Sequence, residues 1–288
     1  MRFVRHLRNG ESELCVRLGQ ELVALCDIDA QLPGSLERLL ALGASALDAI
    51  GRGAGAARRR TPVQGATYLP PLTHPGKVIC VGLNYADHAA EAQLKSPDYP
   101  AFFARFTQSF VGHGAALVRP RISDKFDYEG ELVAVVGRRA RAVSRARALE
   151  CVAGYTVFND GSIRDYQFKS TQWLVGKNFD RTGACGPELV TADELPPGAS
   201  GLKLQTRLNG ELLQNANTRD MLFDVASLVA LCSEVLQLEP GDMIVTGTPA
   251  GVGFARKPPL FMAPGDVCEI AIEQLGTLVN PVVAESPG

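Results

Sequence analysis

Residues 125–137, KFDYEGELVAVVG, constrain the fold more than any other stretch, because two glutamates stand at the head of an unbroken apolar run. Side chains alternate along a β-strand, so Glu129 and Glu131 share a face with Val133 and Val135, while Leu132, Ala134 and Val136 line the other. A strand that is apolar on both faces is covered on both sides, which places the carboxylates where core meets cavity or solvent. Carboxylates are costly to bury. The pair reads either as a solvated strand end or as oxygen ligands for a hard divalent cation.

With 288 residues the chain can form one large domain, or a large and a small one, without disulfide support. A charged content of 21% and a net charge of -2 leave no basic excess to hold a phosphate backbone, so nucleic acid is not an expected partner. The seven cysteines are scattered and never in C-x-x-C spacing, which fits reduced thiols acting as small core hydrophobes rather than a disulfide or zinc framework. No run approaches the roughly 18 apolar residues of a membrane span, so a cytoplasmic location without membrane contact is the expectation.

Asn9-Gly10 predicts a hairpin between two short N-terminal strands. Residues 35–50 read as one helix capped by Ser35 and stopped by Gly51, and the small, basic segment 51–62 reads as an irregular linker. The boundary falls near residue 70, separating a small N-terminal α/β domain (1–70) from a large one (71–288). Strands are expected at 77–82, 131–136, 154–160 and 243–247, a second hairpin at Asn209-Gly210, one long amphipathic helix over 219–237, and edge hairpins after residue 264. Strands outnumber helices, and the fold class is α+β, rich in β.

Asp160 also ends an apolar strand, so three acids stand at strand ends: Glu129, Glu131 and Asp160. Three carboxylates completed by water suit Mg²⁺ or Mn²⁺, whereas zinc more often recruits His or Cys. Spacing alone also admits solvated strand ends. His88 and Glu91, three apart in a short helix, can form a general-base pair or a surface contact. Lys177 can meet a substrate carboxylate or enolate, or snorkel at the surface. The loop TGTPAGVG lacks a P-loop ending, but its amides and Thr248 can hold a carboxylate. His6, His74 and His113 have no acidic partner at helical spacing and read as structural.

The ordered set GLNYADHAAE, DYEGELVAVVG, YTVFNDGSIRDYQ, GKNFD and GDMIVTGTPAGVG resembles the fumarylacetoacetate hydrolase family over roughly residues 75–280. The resemblance implies a catalytic domain built as a mixed β-sandwich roll, a homodimer, and one Mg²⁺ or Mn²⁺ per subunit acting on 2-oxo acids. By motif position it makes Glu129, Glu131 and Asp160 the metal ligands. His88 and Glu91 become the water-activating pair on a lid segment, Lys177 a catalytic cation, and Arg164, Gln167 and Thr248 substrate-binding residues. The implied reaction is hydrolysis of a C–C bond in an acylpyruvate-type 2,4-dioxo acid such as fumarylpyruvate, in aromatic catabolism. Oxaloacetate decarboxylation, 2-oxo-enoate isomerisation, sugar-acid dehydration and a silent binding module are the alternatives. Where many relatives carry Lys-Pro after the lid, this chain has Arg105-Phe106, and the guanidinium fork predicts a contact to a distal substrate carboxylate.

Overall fold

The strand read from the opening motif forms as Gly130–Val136, with every residue buried. It pairs antiparallel with Val152–Asn159 on one side and Met243–Val245 on the other. The computed structural model describes residues 1–87 and 98–286. Among these, the main sheet runs from Thr61–Pro62 through Glu21–Ala24, Glu11–Leu18, Arg2–Arg8, Gly183–Thr191, Val152–Asn159, Gly130–Val136 and Met243–Val245 to Val78–Gly82 and Ala101–Ala104. It is mixed, because Met243–Val245 pairs parallel with Val78–Gly82. A second sheet, Glu211–Asn217, Lys203–Leu208, Val267–Ile272, Gly276–Ala284 and Leu117–Arg119, packs against it.

The alternation of the central strand divides the core in two. Leu132, Ala134 and Val136 join Leu204, Ile270 and Leu278 of the second sheet. Val133 and Val135 join Phe3, Leu36, Leu39 and Ile50, so the N-terminal helices cover the opposite face of the same sheet. The first 70 residues are tied to the rest by sheet pairing as well, with Phe3 opposite Leu189. Both Asn-Gly hairpins form, and all four residues adopt the positive φ that such two-residue turns require.

Two helical expectations and one linker are corrected. Residues 35–50 form two helices, Leu36–Ala41 and Ala44–Gly53, because Gly43 takes φ +77° between them; Ser35 makes no side-chain cap and Gly51 stops nothing. The expected linker continues as a 3-10 turn, Ala54–Ala56. The helix expected over 219–237 is only Val225–Val235, since Asp224 accepts from Ser227 N and starts it there. Leu222, Val235 and Leu236, within the expected span, are exposed. Six of the seven cysteines are buried free thiols, and Cys26 is exposed. Among the described residues no helix is long and apolar enough to cross a membrane.

Candidate active site

The antiparallel register sets Gly130 opposite Asn159 and Glu131 opposite Phe158. Glu129 and Asp160, each one residue beyond these pairs, therefore end side by side, and Asp160 N donates to Glu129 O at 2.9 Å. Carboxylate oxygens of Glu129, Glu131 and Asp160 lie within 4.8 Å of one another, and all three residues are buried. A solvated strand end is thereby overturned.

Lys177, at the end of the short helix Leu174–Lys177, bridges two of them, its Nζ 2.6 Å from both Glu129 Oε2 and Asp160 Oδ2. Burial alone would lower the Lys177 pKa, but Asp160 and Glu129 outweigh it and raise it, keeping the ammonium charged. Glu131 forms no ion pair among the described residues and accepts one hydrogen bond, from Gly247 N. Burial pushes its carboxyl well above the usual range, and Asp160 and Glu129 add to the shift. Gly247 must be glycine: it holds φ +97°, and a Cβ there would meet Asn84 Cβ at 2.8 Å.

Arg164 and Gln167 share the single-turn helix Arg164–Gln167, where Arg164 Nη1 donates to Gln167 Oε1 at 2.8 Å. The guanidinium also pairs with Glu129 Oε1 at 2.6 Å and Asp127 Oδ2 at 2.8 Å, under the Phe254 ring. Thr248 Oγ1 donates to Gly130 O and accepts from Gln214 Nε2. A cavity collects these groups: Glu129, Glu131, Arg164, Gln167, Lys177 and Thr248 line it beside Val81, Phe103, Trp173 and Phe254.

Arg105 is placed elsewhere, and its expected contact with a distal substrate carboxylate is corrected. Its five N–H groups meet Ser109 Oγ, Ser109 O, Thr182 Oγ1, Gly161 O and, at 2.6 Å, Asp160 Oδ1, leaving no donor over. The side chain is wholly buried behind the acid it pairs with. His88 and Glu91 lie outside the described residues. Asp127 is the residue that sequence reading missed. Fully buried, it accepts from Gly253 N, Phe254 N and Arg164, joining the glycine-rich loop to the Arg164 side of the cavity. Its signal was present, since Asp127 extends the two-residue spacing of Glu129 and Glu131.

The fumarylacetoacetate (FAA) hydrolase C-terminal family profile matches residues 77–283. The chain belongs to the fumarylacetoacetate hydrolase family. It is 39% identical over 279 residues to the oxaloacetate tautomerase Fahd2a, mitochondrial, of Rattus norvegicus, covering 96% of this chain and 89% of that one. The fumarylacetoacetate hydrolase of Exiguobacterium antarcticum superposes with a TM-score of 0.85 at 34% identity, over 99% of this chain and 100% of that one. The maleylpyruvate hydrolase of Sphingobium sp. SYK-6, solved with manganese(II) and pyruvate, gives 0.83 at 28% identity, over 99% and 100%. The sheet-rich fold read from the sequence is that of these enzymes of the family.

The donor set of the family enzyme described here fits a hard cation. Four buried carboxylates, Asp127, Glu129, Glu131 and Asp160, face three buried cations, Arg105, Arg164 and Lys177, and Glu131 is the acid without an ion pair among the described residues. Only oxygen is offered within the cluster, the chemistry Mg²⁺ and Mn²⁺ prefer.

Proposed function

We propose that this enzyme holds Mg²⁺ or Mn²⁺ on Glu129, Glu131 and Asp160 and interconverts the keto and enol forms of a small 2-oxo dicarboxylic acid of the oxaloacetate kind. The observation that carries this reading is the grouping of three buried carboxylates within 4.8 Å of one another, with Glu129, Glu131 and Lys177 lining one cavity. The identity with an oxaloacetate tautomerase along nearly the whole chain supports the choice of substrate.

When bound, the cation supplies Lewis-acid polarisation of a 2-oxo acid. The protein supplies the rest. Arg164, fixed by Asp127 and Gln167, presents a planar cation toward the carboxylate end of the acid. Lys177 brings a charge to the oxygen on which enolate charge develops. Phe103, Trp173 and Phe254 exclude water, which strengthens both interactions. His88, which the family resemblance pairs with Glu91, is the proposed proton carrier, and the reaction needs a base at carbon and no attacking water.

A second reading, hydrolysis of the C–C bond of an acylpyruvate, uses the same groups with His88 activating water, and the likeness to a hydrolase solved with manganese and pyruvate favours it. Purified enzyme given enol-oxaloacetate, fumarylpyruvate and acetylpyruvate, with Mn²⁺ or with EDTA, separates the two. Metal-dependent decay of the enol absorbance without pyruvate or carbon dioxide supports the tautomerase. Pyruvate plus the matching acid moves the enzyme to the hydrolase reading, and carbon dioxide from oxaloacetate to a decarboxylase. If no substrate turns over faster with metal, both readings fall.

A further inference from the structure

Away from the acidic site, one other set of metal-ligating side chains converges among the described residues: His6, Glu13 and Cys15. The Asn9-Gly10 turn folds Arg2–Arg8 back onto Glu11–Leu18 with His6 opposite Glu13 and Val4 opposite Cys15. Cross-strand partners and residues two apart share a face, so all three side chains leave the hairpin on the same side. One ligand atom from each lies within 4.8 Å of the others. Around a tetrahedral zinc with bonds of about 2.0–2.3 Å these atoms would stand roughly 3.4–3.6 Å apart, a contraction that side-chain rotation can provide.

The second observation is the imidazole itself. His6 is 2% exposed, and its Nε2 has no hydrogen-bond partner among the described residues, with Glu13 Oε2 3.6 Å away. A buried polar nitrogen left unmatched is costly. Burial also lowers the His6 pKa, against the pull of Glu13, which keeps the ring neutral and its lone pair available. Glu13 uses its other oxygen, Oε1, to meet Arg59 Nη2 at 3.2 Å, while Arg59 Nε holds Asp27 at 2.5 Å. Oε2 is the oxygen turned toward the imidazole, with Arg8 Nη1 3.9 Å away from it.

We propose that His6 Nε2, Glu13 Oε2 and Cys15 Sγ form a second cation site, for a borderline ion of the Zn²⁺ class rather than the Mg²⁺ or Mn²⁺ suited to the acidic triad. Nitrogen and sulfur donors set this choice. On binding, the Cys15 S–H bond breaks, its proton goes to solvent, and the thiolate with the Glu13 carboxylate neutralises the divalent charge. Val4, Leu22 and Ala24 back the site, and Glu13, with its side chain 20% exposed, is the side open to solvent. The bound ion would cross-link the first two strands of the main sheet.

Co²⁺ titration of the EDTA-treated full chain tests this, because a thiolate-to-cobalt charge-transfer band cannot arise from an all-carboxylate site. The expected result is a band saturating at one equivalent, bleached by Zn²⁺, absent in Cys15→Ser, retained in Glu131→Gln, and shifted on the order of tenfold or more to higher Co²⁺ in His6→Gln. Mg²⁺-supported turnover of Cys15→Ser should equal that of the unaltered enzyme. No band in the unaltered enzyme, or one unaffected by His6→Gln, would overturn the site; so would a band that survives Cys15→Ser. Should Cys15→Ser fail to fold, the unaltered enzyme and His6→Gln decide the matter.

Discussion

Arg105 Nη1 donates to Asp160 Oδ1 at 2.6 Å, with both side chains wholly buried, so a guanidinium rather than solvent fixes the third acid of the triad. Arg105→Met should leave that carboxylate undercompensated and cost about 3–5 kcal/mol of stability. Arg105→Lys should recover only part of it, since an ammonium cannot reproduce the five-point fork. Urea unfolding measures the loss, and the kcat/KM ratio between fumarylpyruvate and acetylpyruvate checks the alternative role. Unchanged stability with a changed ratio would return Arg105 to distal-carboxylate selection.

Lys177 bonds one oxygen of each of two acids in the proposed ligand set, Glu129 Oε2 and Asp160 Oδ2. Lys177→Met should therefore bind Mn²⁺ at least as tightly as the unaltered enzyme while losing about 10²-fold or more in turnover. Calorimetry and steady-state rates on one preparation separate these effects. Weaker Mn²⁺ binding would mean that the ammonium organises the carboxylates rather than competing for them.

Strands were legible because period-two alternation and unbroken apolar runs are local signals, and the central strand carries both. The acids were legible as strand ends, but only the pairing of Gly130 with Asn159 brings Glu129 beside Asp160. That relation is long-range, and no spacing in the chain encodes it. Arg105 shows the reverse difficulty. Its chemistry, a bidentate fork seeking a carboxylate, was read from the residue type, but its partner is an acid 55 positions away instead of a substrate. The helix errors came from weighting apolar periodicity above punctuation: Gly43 and Asp224 both mark their boundaries in the sequence.

Glu131 makes no ion pair among the described residues, and burial with the neighbouring acids raises its pKa against the pull of Lys177, so its charge opposes folding unless a cation binds beside it. In EDTA, Glu131→Gln should melt at or above the temperature of the unaltered enzyme, because the amide oxygen can still accept from Gly247 N. With Mn²⁺ at about 100 times its Kd, the unaltered enzyme should gain about 2.7 kcal/mol and the variant nothing. Thermal melts with and without metal check both. An equal Mn²⁺ shift in the two proteins would remove Glu131 from the ligand set.

Asp224 caps the helix Val225–Val235 by accepting from Ser227 N at 2.8 Å, and it also meets Arg145 Nη2 at 2.5 Å. Burial alone would raise its pKa, but the bonds from Arg145 and Ser227 outweigh it and lower it. An acid lowered in the folded state stabilises above its unfolded pKa of about 3.9 and loses that contribution as pH falls through the lower folded value. Asp224→Ala should cost about 0.5–2 kcal/mol at neutral pH, most of it from the cap, because the exposed ion pair with Arg145 is screened. Asp224→Asn should keep most of the cap and lose only the pH-dependent part. Urea unfolding at pH 7 and at pH 3 measures both variants: a deficit in Asp224→Ala that does not shrink in acid would assign the stabilisation to packing rather than to the carboxylate.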